Sequence, residues 1–302
     1  SLELRRKRDL ASTGFVVFRG AESRAEAERR APAGFVRVRV PDEAGAPTRR
    51  GEAEAVTRWL VHDCGVGVPS VLISVTGGAQ DFRLPHDVQS AFERGLMRAA
   101  RSGNTWMITG GTDTGVMRLV GQAIANYALD NVTAVGIGPW GAISNRDELD
   151  PAASGPELGG ERRLADGGES TSVVGAVEYT ADRRSNSAEG AALEPHHSHF
   201  ILVDTGREGR AAWGNEIPLR FAIERKVSDR YSVPMVLVVV EGGPNTLKTV
   251  REFLVGGCPV VLLRGSGGAA DAICRCFDLL LQPPAGRGEQ GAAGAGAGAG
   301  AG

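Results

Sequence analysis

Hydrophobic and polar residues follow two alternating patterns along the chain. From residue 71 onward, six short runs rich in Val, Ile and Leu predict β-strands that are buried on both faces. These runs span residues 71–75, 106–109, 132–137, 200–203, 235–240 and 260–263. Between most of them, apolar residues recur every three or four positions, which predicts amphipathic helices. These helical stretches span residues 88–100, 116–129, 217–227, 246–255 and 269–281.

Strands that alternate with helices predict an α/β fold, with a Rossmann-like parallel sheet and helices on both of its faces. One segment interrupts the alternation. Residues 150–195 are rich in Gly, Ala, Ser and acidic residues, and only residues 173–177 have a strand-like pattern. We therefore predict a flexible insertion near 150–195 within the α/β domain.

The ends of the chain differ in composition from this core. Residues 1–54 form a charged N-terminal extension with short strands, one of which (36–40) alternates Val and Arg. A short helix at 52–62 is expected to lead into the core. The α/β domain is assigned to residues 55–281, and the Gly- and Ala-rich residues 282–302 are predicted to be a disordered tail.

Composition excludes several classes of protein. The 302 residues carry a formal net charge of −2, which provides no overall positive field for a nucleic-acid partner. A membrane-spanning helix needs about 20 consecutive apolar residues, and the apolar runs here are much shorter. The charged start of the chain lacks the apolar core of a signal peptide. With four scattered cysteines, these features favour a cytoplasmic protein that does not insert into a membrane.

Glycine is abundant, with 43 residues, and part of this excess follows four of the predicted strands. Ligands of open parallel sheets bind beyond the carboxyl ends of the strands. Glycine lets backbone N–H groups approach a phosphate, and the next helix points its positive end at the same place. We therefore predict a rim of anion-receptive turns, although glycine also simply permits tight turns. The candidate ligand-binding residues in these turns are Thr76, Gly77, Gly78, Gly110, Gly111, Thr112, Thr114, Gly115, Gly242, Gly243, Asn245, Thr246, Gly265 and Ser266.

Two arginines near these turns are candidates for binding a diphosphate. Arg146 and Arg220 each have the planar guanidinium that pairs with phosphate through two hydrogen bonds. The alternative for each is a surface ion pair with Asp147, Glu148 or Glu224. No Walker lysine and no GxGxxG motif accompanies the turns, which disfavours a generic ATPase or NAD dehydrogenase.

Three further candidates have two readings each. Trp140 is expected either to stack on an adenine ring or to pack in the core. Asp204 either accepts hydrogen bonds from ribose hydroxyls or forms an Asx turn. Thr76 either donates to phosphate or caps a helix.

The histidines at positions 196, 197 and 199 do not form a metal site in this interpretation. Adjacent histidines before a strand point in different directions, and no His or Cys at a suitable spacing completes a tetrahedral set. We expect structural hydrogen bonds for them, with no bound metal, no required cofactor and no catalytic residue.

At these motifs the chain resembles the N-terminal cytosolic homology region of melastatin-type TRP channels. The resemblance covers roughly residues 55–281. It is carried, in order, by 71–79 (VLISVTGGA), 109–117 (TGGTDTGVM), 137–141 (IGPWG), 197–204 (HSHFILVD), 216–220 (EIPLR), 240–246 (VEGGPNT) and 264–267 (RGSG).

The resemblance implies a Rossmann-like domain of the SLOG superfamily, whose members sense or process nucleotide-derived ligands. It implies a nucleotide-sensing regulatory domain that binds ADP-ribose or a related nucleotide diphosphate at the cytosolic face of a calcium-permeable channel. The implied partners are a nucleotide, other channel domains and sibling subunits of a homotetramer.

Two alternatives stay open. The Lonely Guy phosphoribohydrolases are enzymatic relatives whose PGGxGTxxE motif supplies a glutamate for cleaving an N-glycosidic bond. By motif, the closest match here is residues 241–246, with Thr249 at the position of that glutamate. By strand order, the counterpart is the turn at residues 204–209, which lacks the Gly-Gly pair, and Glu216 is the nearest acid downstream of it. The other alternative is a structural assembly module that binds no ligand.

Overall fold

All strands of the protein join one sheet in a computed structural model that describes residues 10–19, 31–40, 46–150 and 172–281. The spatial order is β6-β1-β2-β7-β5-β4-β3-β8-β9. The strands are β1 (Leu10–Arg19), β2 (Ala33–Arg39), β3 (Val71–Gly77), β4 (Thr105–Thr109), β5 (Val132–Pro139), β6 (Ser172–Thr180), β7 (His199–Asp204), β8 (Met235–Val240) and β9 (Val260–Leu262). Every neighbouring pair is parallel except β1 and β2, which are antiparallel.

Helices cover both faces of this sheet. They are α1 (Ala46–Arg58), α2 (His86–Ala100), α3 (Gly115–Tyr127), α4 (Ile217–Tyr231), α5 (Pro244–Val255) and α6 (Gly268–Leu281). α2 and α3 pack on one face, where Met97 and Val120 contact the strands. α1, α4 and α5 pack on the other face through residues such as Val56, Ile223 and Phe253. The predicted α/β architecture is therefore confirmed, with one antiparallel pair added.

The apolar patterns explain these elements. In α2, Phe92, Leu96 and Ala100 recur every four residues and are buried together. The central run of β3 is buried on both faces, as its unbroken apolar sequence predicts. The helix expected at 52–62 begins earlier, at Ala46, and ends in a wider turn over Trp59–Asp63.

The N-terminal strands lie inside the fold. β2 hydrogen-bonds to β7 in the middle of the sheet, and Phe35, Val36 and Val38 are fully buried there. The sequence treats residues 1–54 as an extension outside the core domain, but β1, β2 and most of α1 belong to the same sheet and core. Their alternating pattern understates burial because Arg37 of β2 pairs with Asp204 on the neighbouring strand.

The described part of the predicted flexible insertion is ordered, which corrects that prediction for residues 172–195. β6 extends the expected 173–177 strand and pairs with β1. After β6, the backbone of Ala191 donates to Ala142, and Asp113 donates to the carbonyl of Ala192. Hydrogen bonds to neighbouring loops thus hold a segment that is poor in apolar residues. The rest of the insertion (151–171) and the predicted tail (282–302) lie outside the described residues.

The chain changes direction across the sheet between β3 and β8. From β3 it moves outward through β4, β5 and β7, and α4 then carries it back to β8 on the opposite side of β3. At such a reversal, the helices that follow the two adjacent strands lead to opposite sides of the sheet, and a crevice forms between their first turns. Open α/β sheets bind ligands in this crevice. Among the described helices, none is long and apolar enough to span a membrane.

Candidate functional site

A pocket of about 730 Å³ opens at this reversal, at the carboxyl ends of β3 and β8. The volume lies within the range of small-molecule sites. The wall consists of the two strand-end turns, part of the segment after β6 and part of the segment before α4. The lining residues are Gly77, Gly78, Ala79, Gln80, Ser187, Ala188, Arg210, Trp213, Glu241, Gly242, Gly243, Pro244, Asn245 and Thr246.

The four glycine-rich turns lie side by side, as predicted. They follow β4, β3, β8 and β9, which are consecutive and parallel in the sheet. The two inner turns, after β3 and β8, line the pocket. They approach each other closely: the N–H of Gly78 donates to the carbonyl of Val240 at 3.1 Å. A Cβ at Gly77 would overlap that same carbonyl, so the contact requires glycine.

The β8 turn brings the start of α5 to the pocket. Gly242 has a φ of 101°, a left-handed conformation that favours glycine. The Thr246 hydroxyl donates to the Gly77 carbonyl at 3.2 Å and accepts from the N–H of Gly243 at 3.3 Å, which joins the two inner turns. The first N–H groups of a helix lack helical acceptors and carry partial positive charge. This wall of the pocket is thus suited to an anion.

In the two outer turns, after β4 and β9, the amides at the following helix starts bond to protein carbonyls and do not face the pocket. At the start of α3, the N–H of Val116 donates to the Gly78 carbonyl at 2.9 Å. At the start of α6, the N–H groups of Ala269 and Ala270 donate to Gly242 and Glu241 at 2.8 and 3.0 Å. These outer helix ends therefore bond to the carbonyl side of the inner turns. Of the helices that follow the predicted rim of anion-receptive turns, α5 is the one whose start lies in the pocket wall.

Two segments that the sequence analysis missed form the opposite wall. Trp213 donates from its indole N–H to the carbonyl of Ala188 at 3.2 Å. The backbone N–H of Arg210 donates to the Glu189 carboxylate at 2.9 Å. These bonds fasten the segment before α4 to the segment after β6. A possible sequence signal was the isolated Trp213, an aromatic residue in an otherwise small and polar stretch.

Of the 18 candidate ligand-binding residues, six line the pocket. They are Gly77, Gly78, Gly242, Gly243, Asn245 and Thr246. Eight others belong to the same strand ends but do not line it: Thr76, Gly110, Gly111, Thr112, Thr114, Gly115, Gly265 and Ser266. The Ser266 hydroxyl, for example, bonds to a neighbouring turn, where it accepts from the N–H of Glu241 at 2.8 Å.

Arg220 lies in the interior below the pocket, with 6% of its surface exposed. Its guanidinium donates to the Glu224 carboxylate at 3.0 Å, to the Ser74 hydroxyl at 2.8 Å and to the Ile108 carbonyl at 3.1 Å. Strand carbonyls and a buried carboxylate thus occupy the guanidinium, and Arg220 does not line the pocket. The sequence analysis considered an ion pair with Glu224 as the alternative, and this pair forms, but in the interior and not on the surface.

Arg146, the other candidate arginine, and Arg37 of β2 both pair with acids outside the pocket lining. Arg146 pairs with Glu208 at 2.6 Å, an acid that the sequence analysis did not name as a partner. Arg37 of β2 pairs with Asp204 at 2.6 Å and stacks on the ring of Trp140, 4.2 Å from its centroid.

Asp204 forms the Asx turn, and Trp140 packs in the core, which are the structural alternatives considered for these two residues. The carboxylate of Asp204 also accepts from the N–H of Gly206 at 2.9 Å, which is an Asx turn. Trp140 is buried in a core cluster with Phe35 and Phe200. Neither residue lines the pocket.

The histidine cluster is organised around a buried acid. Both His196 and His197 contact the Glu194 carboxylate through Nδ1, at 2.6 and 2.7 Å, and His197 reaches Thr109 through Nε2 at 2.7 Å. Burial alone would raise the pKa of Glu194, but the histidine hydrogen bonds outweigh it and lower the pKa to about 2. Within the described ranges, no group of three such side chains is placed to hold a metal ion.

The acids considered for hydrolysis lie away from the pocket lining. Shielding from water raises the pKa of Glu216 to about 7, and its carboxylate accepts from the N–H of Gly214 at 2.8 Å. Thr249 donates to the carbonyl of Asn245 within α5 at 3.2 Å. The acid that does line the pocket is Glu241, which the sequence analysis did not single out.

A parallel sheet of this order, with a glycine-bordered pocket at its reversal, defines the class of Rossmann-like ligand-binding α/β domains. Within that class the chain belongs to the family described as SLOG in TRPM, whose model matches residues 48–157 and 169–282. The resemblance noted from the motifs is thereby confirmed.

Individual relatives agree with this assignment. The chain is 38% identical over 235 residues to transient receptor potential cation channel subfamily M member 2 of Rattus norvegicus, covering 73% of this chain and 14% of the channel. It is 35% identical to subfamily M member-like 2 of Nematostella vectensis, covering 74% and 14%, and 35% identical to member 6 of Homo sapiens, covering 71% and 10%. The chain thus spans about a seventh or less of these relatives.

Proposed function

We propose that the chain is a nucleotide-sensing regulatory domain that binds ADP-ribose or a related nucleotide diphosphate in the pocket between β3 and β8. The observation that carries the proposal is the position of that pocket. It lies at the reversal of strand order, between two touching glycine turns and against the start of α5. This combination favours a ligand with a phosphate at one end.

The lining supplies a complementary group for each part of such a ligand. The α5 start and Arg210 provide partial and full positive charge for a diphosphate. Trp213 provides an aromatic face for a base, and the amides of Gln80 and Asn245 provide donors and acceptors for polar edges. Arg210 and Glu241 are the charged residues of the lining, so the helix start contributes much of the attraction for an anion.

The regulatory part of the proposal comes from the relatives. The matched proteins are named as cation channels, and this chain corresponds to a small fraction of each. In this proposal the domain belongs to the cytosolic part of a longer channel. Its partners are the other channel domains and sibling subunits of a homotetramer, and the nucleotide changes how the domain contacts them.

Isothermal titration calorimetry with ADP-ribose, AMP and adenosine tests the binding proposal. We expect micromolar binding of ADP-ribose that weakens at least about tenfold in Trp213→Ala and in Arg210→Ala, because each removes a side chain from the wall opposite the glycine turns. Arg251→Ala is the matched control, since Arg251 is an exposed arginine of α5 outside the lining. Absence of binding for the whole panel contradicts the proposal, and so does binding that the pocket variants leave unchanged.

A further inference from the structure

Glu241 holds an unusual position in the pocket wall. Its φ is +56°, a left-handed conformation that costs a residue with a side chain about 1 kcal/mol or more. The backbone is fixed from both sides: Glu241 N–H donates to the Ser266 hydroxyl at 2.8 Å, and its carbonyl accepts from Ala270 at 3.0 Å. The strained conformation is thus held by the β9 turn and the start of α6, and it directs the side chain toward the pocket.

The Glu241 carboxylate lies on both inner turns at once. One oxygen accepts the N–H of Gly242 at 2.7 Å. The same oxygen occupies the space beside Gly78, where a Cβ would overlap it. Gly78 and Gly242 are the glycines of the two turns that border the pocket. The carboxylate therefore takes a backbone amide of the kind that a bound phosphate uses.

No ion pair compensates this carboxylate within the part of the chain that the structure describes. Glu208, on the segment before α4, is different, because it pairs with Arg146. The Glu241 charge is partly exposed in the pocket, beside the positive start of α5. Its field opposes that of the helix start at the place where an anion would bind.

We propose that Glu241 is an internal competitor for the anion subsite, which a phosphate-bearing ligand must displace. This inference rests on the proposed function and deepens it. The carboxylate holds the subsite in the free protein and moves out by side-chain rotation when a diphosphate takes the Gly242 amide. It therefore weakens the binding of every phosphate-bearing ligand and leaves phosphate-free ligands unaffected.

The opposite role for the same carboxylate makes the opposite prediction. An acid at a strand end can accept hydrogen bonds from ribose hydroxyls. In that case removal of the charge would weaken every ligand that carries a ribose, with or without phosphate.

Calorimetric titration of Glu241→Gln with pyrophosphate, ADP-ribose and adenosine separates these roles. We expect about tenfold tighter binding of pyrophosphate and ADP-ribose, and adenosine binding within twofold of the wild-type protein. Glu252→Gln changes the net charge equally from a position of α5 outside the lining, and we expect no change there. Unchanged or weaker phosphate binding in Glu241→Gln overturns the inference, as does weaker adenosine binding.

A second variant guards against an altered fold. Glu241→Gly removes the carboxylate and also fits the left-handed backbone, so we expect a melting temperature at or above the wild-type value together with the same gain in phosphate affinity. If wild-type protein binds no nucleotide but Glu241→Gly or Glu241→Gln binds pyrophosphate, the internal competitor stands and the proposed function fails. If ADP-ribose binds the wild type and both variants equally, the inference fails alone. If none of the three proteins binds any probe, both fail.

Discussion

The buried pair of Arg220 and Glu224 joins α4 to the strands beneath the pocket. The guanidinium also donates to the Ser74 hydroxyl and to the carbonyls of Val75 and Ile108. Taking two charges out of water costs several kcal/mol, and the hydrogen bonds of the pair offset only part of that cost. Shielding raises the pKa of Glu224 above its ordinary value, although Arg220 and Ser74 act in the opposite direction.

Arg220→Ala is expected to lower the free energy of unfolding by about 3–5 kcal/mol, because it leaves Glu224 charged and unpaired in the interior. Chemical denaturation measures the loss. The double variant Arg220→Met/Glu224→Leu removes both charges and should recover most of the stability. A single variant as stable as the wild type would show that the pair contributes little.

Glu216 is expected to change the stability with pH in the direction opposite to that of a carboxylate with a lowered pKa. Its pKa is raised to about 7 from an ordinary value of 4.5, so the folded state holds the proton more tightly than the unfolded state. This residue therefore costs stability as the pH rises from about 4.5 through 7. Glu216→Gln should be more stable than the wild type at pH 8 and little different at pH 4.5.

The measurement is the difference in unfolding free energy between Glu216→Gln and wild type at several pH values. Taking a difference removes the contribution of His199, whose burial lowers its pKa to about 4 and acts in the same pH range. A difference that does not change with pH would contradict the assignment.

At the scale of elements, one tyrosine joins the segment after β6 to the segment after β5. Tyr179 is fully buried, its hydroxyl donates to the Ser144 carbonyl at 2.7 Å, and it accepts from the N–H of Leu193 at 3.1 Å. One side-chain oxygen thus bridges these two segments. Burial raises the pKa of this tyrosine well above its ordinary range, so the hydroxyl keeps its proton.

Tyr179→Phe is expected to cost about 1–2 kcal/mol, because it leaves a buried carbonyl and a buried N–H without this partner. Hydrogen–deuterium exchange should show faster exchange at Leu193 and its neighbours, with little change in the central strands. Phe18→Leu, which alters the ring packed against Tyr179 without touching the hydroxyl, serves as the control. Equal exchange at Leu193 in wild type and Tyr179→Phe would contradict this role.

Much of the fold was predictable from sequence at this scale, whereas half of the pocket was not. The apolar runs placed β3 and β8, and the glycines placed the turns that touch at Gly78 and Val240. Arg210, Trp213 and Ser187 belong to irregular segments that no periodicity marks. They meet only because long-range hydrogen bonds join these segments, as from Trp213 to Ala188. The burial of Arg220 was hidden because its helix carries charged residues on the face toward the sheet.

At the scale of the whole molecule, the proposed ligand should stabilise the fold by mass action. A ligand that binds only the folded state adds about 2.7 kcal/mol at a concentration 100 times its Kd. ADP-ribose should therefore raise the melting temperature of the wild-type protein by several degrees, and by much less for Trp213→Ala. Differential scanning calorimetry measures the shift, and equal shifts for both proteins would place the ligand elsewhere.

The hydrogen bonds between the inner and outer turns have a mechanical consequence. The carbonyls of Glu241 and Gly242 accept the first N–H groups of α6, so the peptide beside the pocket and the start of that helix form one unit. A rotation of this peptide must either break both bonds or carry α6 with it. A movement of the backbone beside the pocket would therefore be transmitted along α6, the last described helix of the chain. Its other end carries the exposed apolar residues Phe277, Leu280 and Leu281, where a small rotation gives the largest displacement.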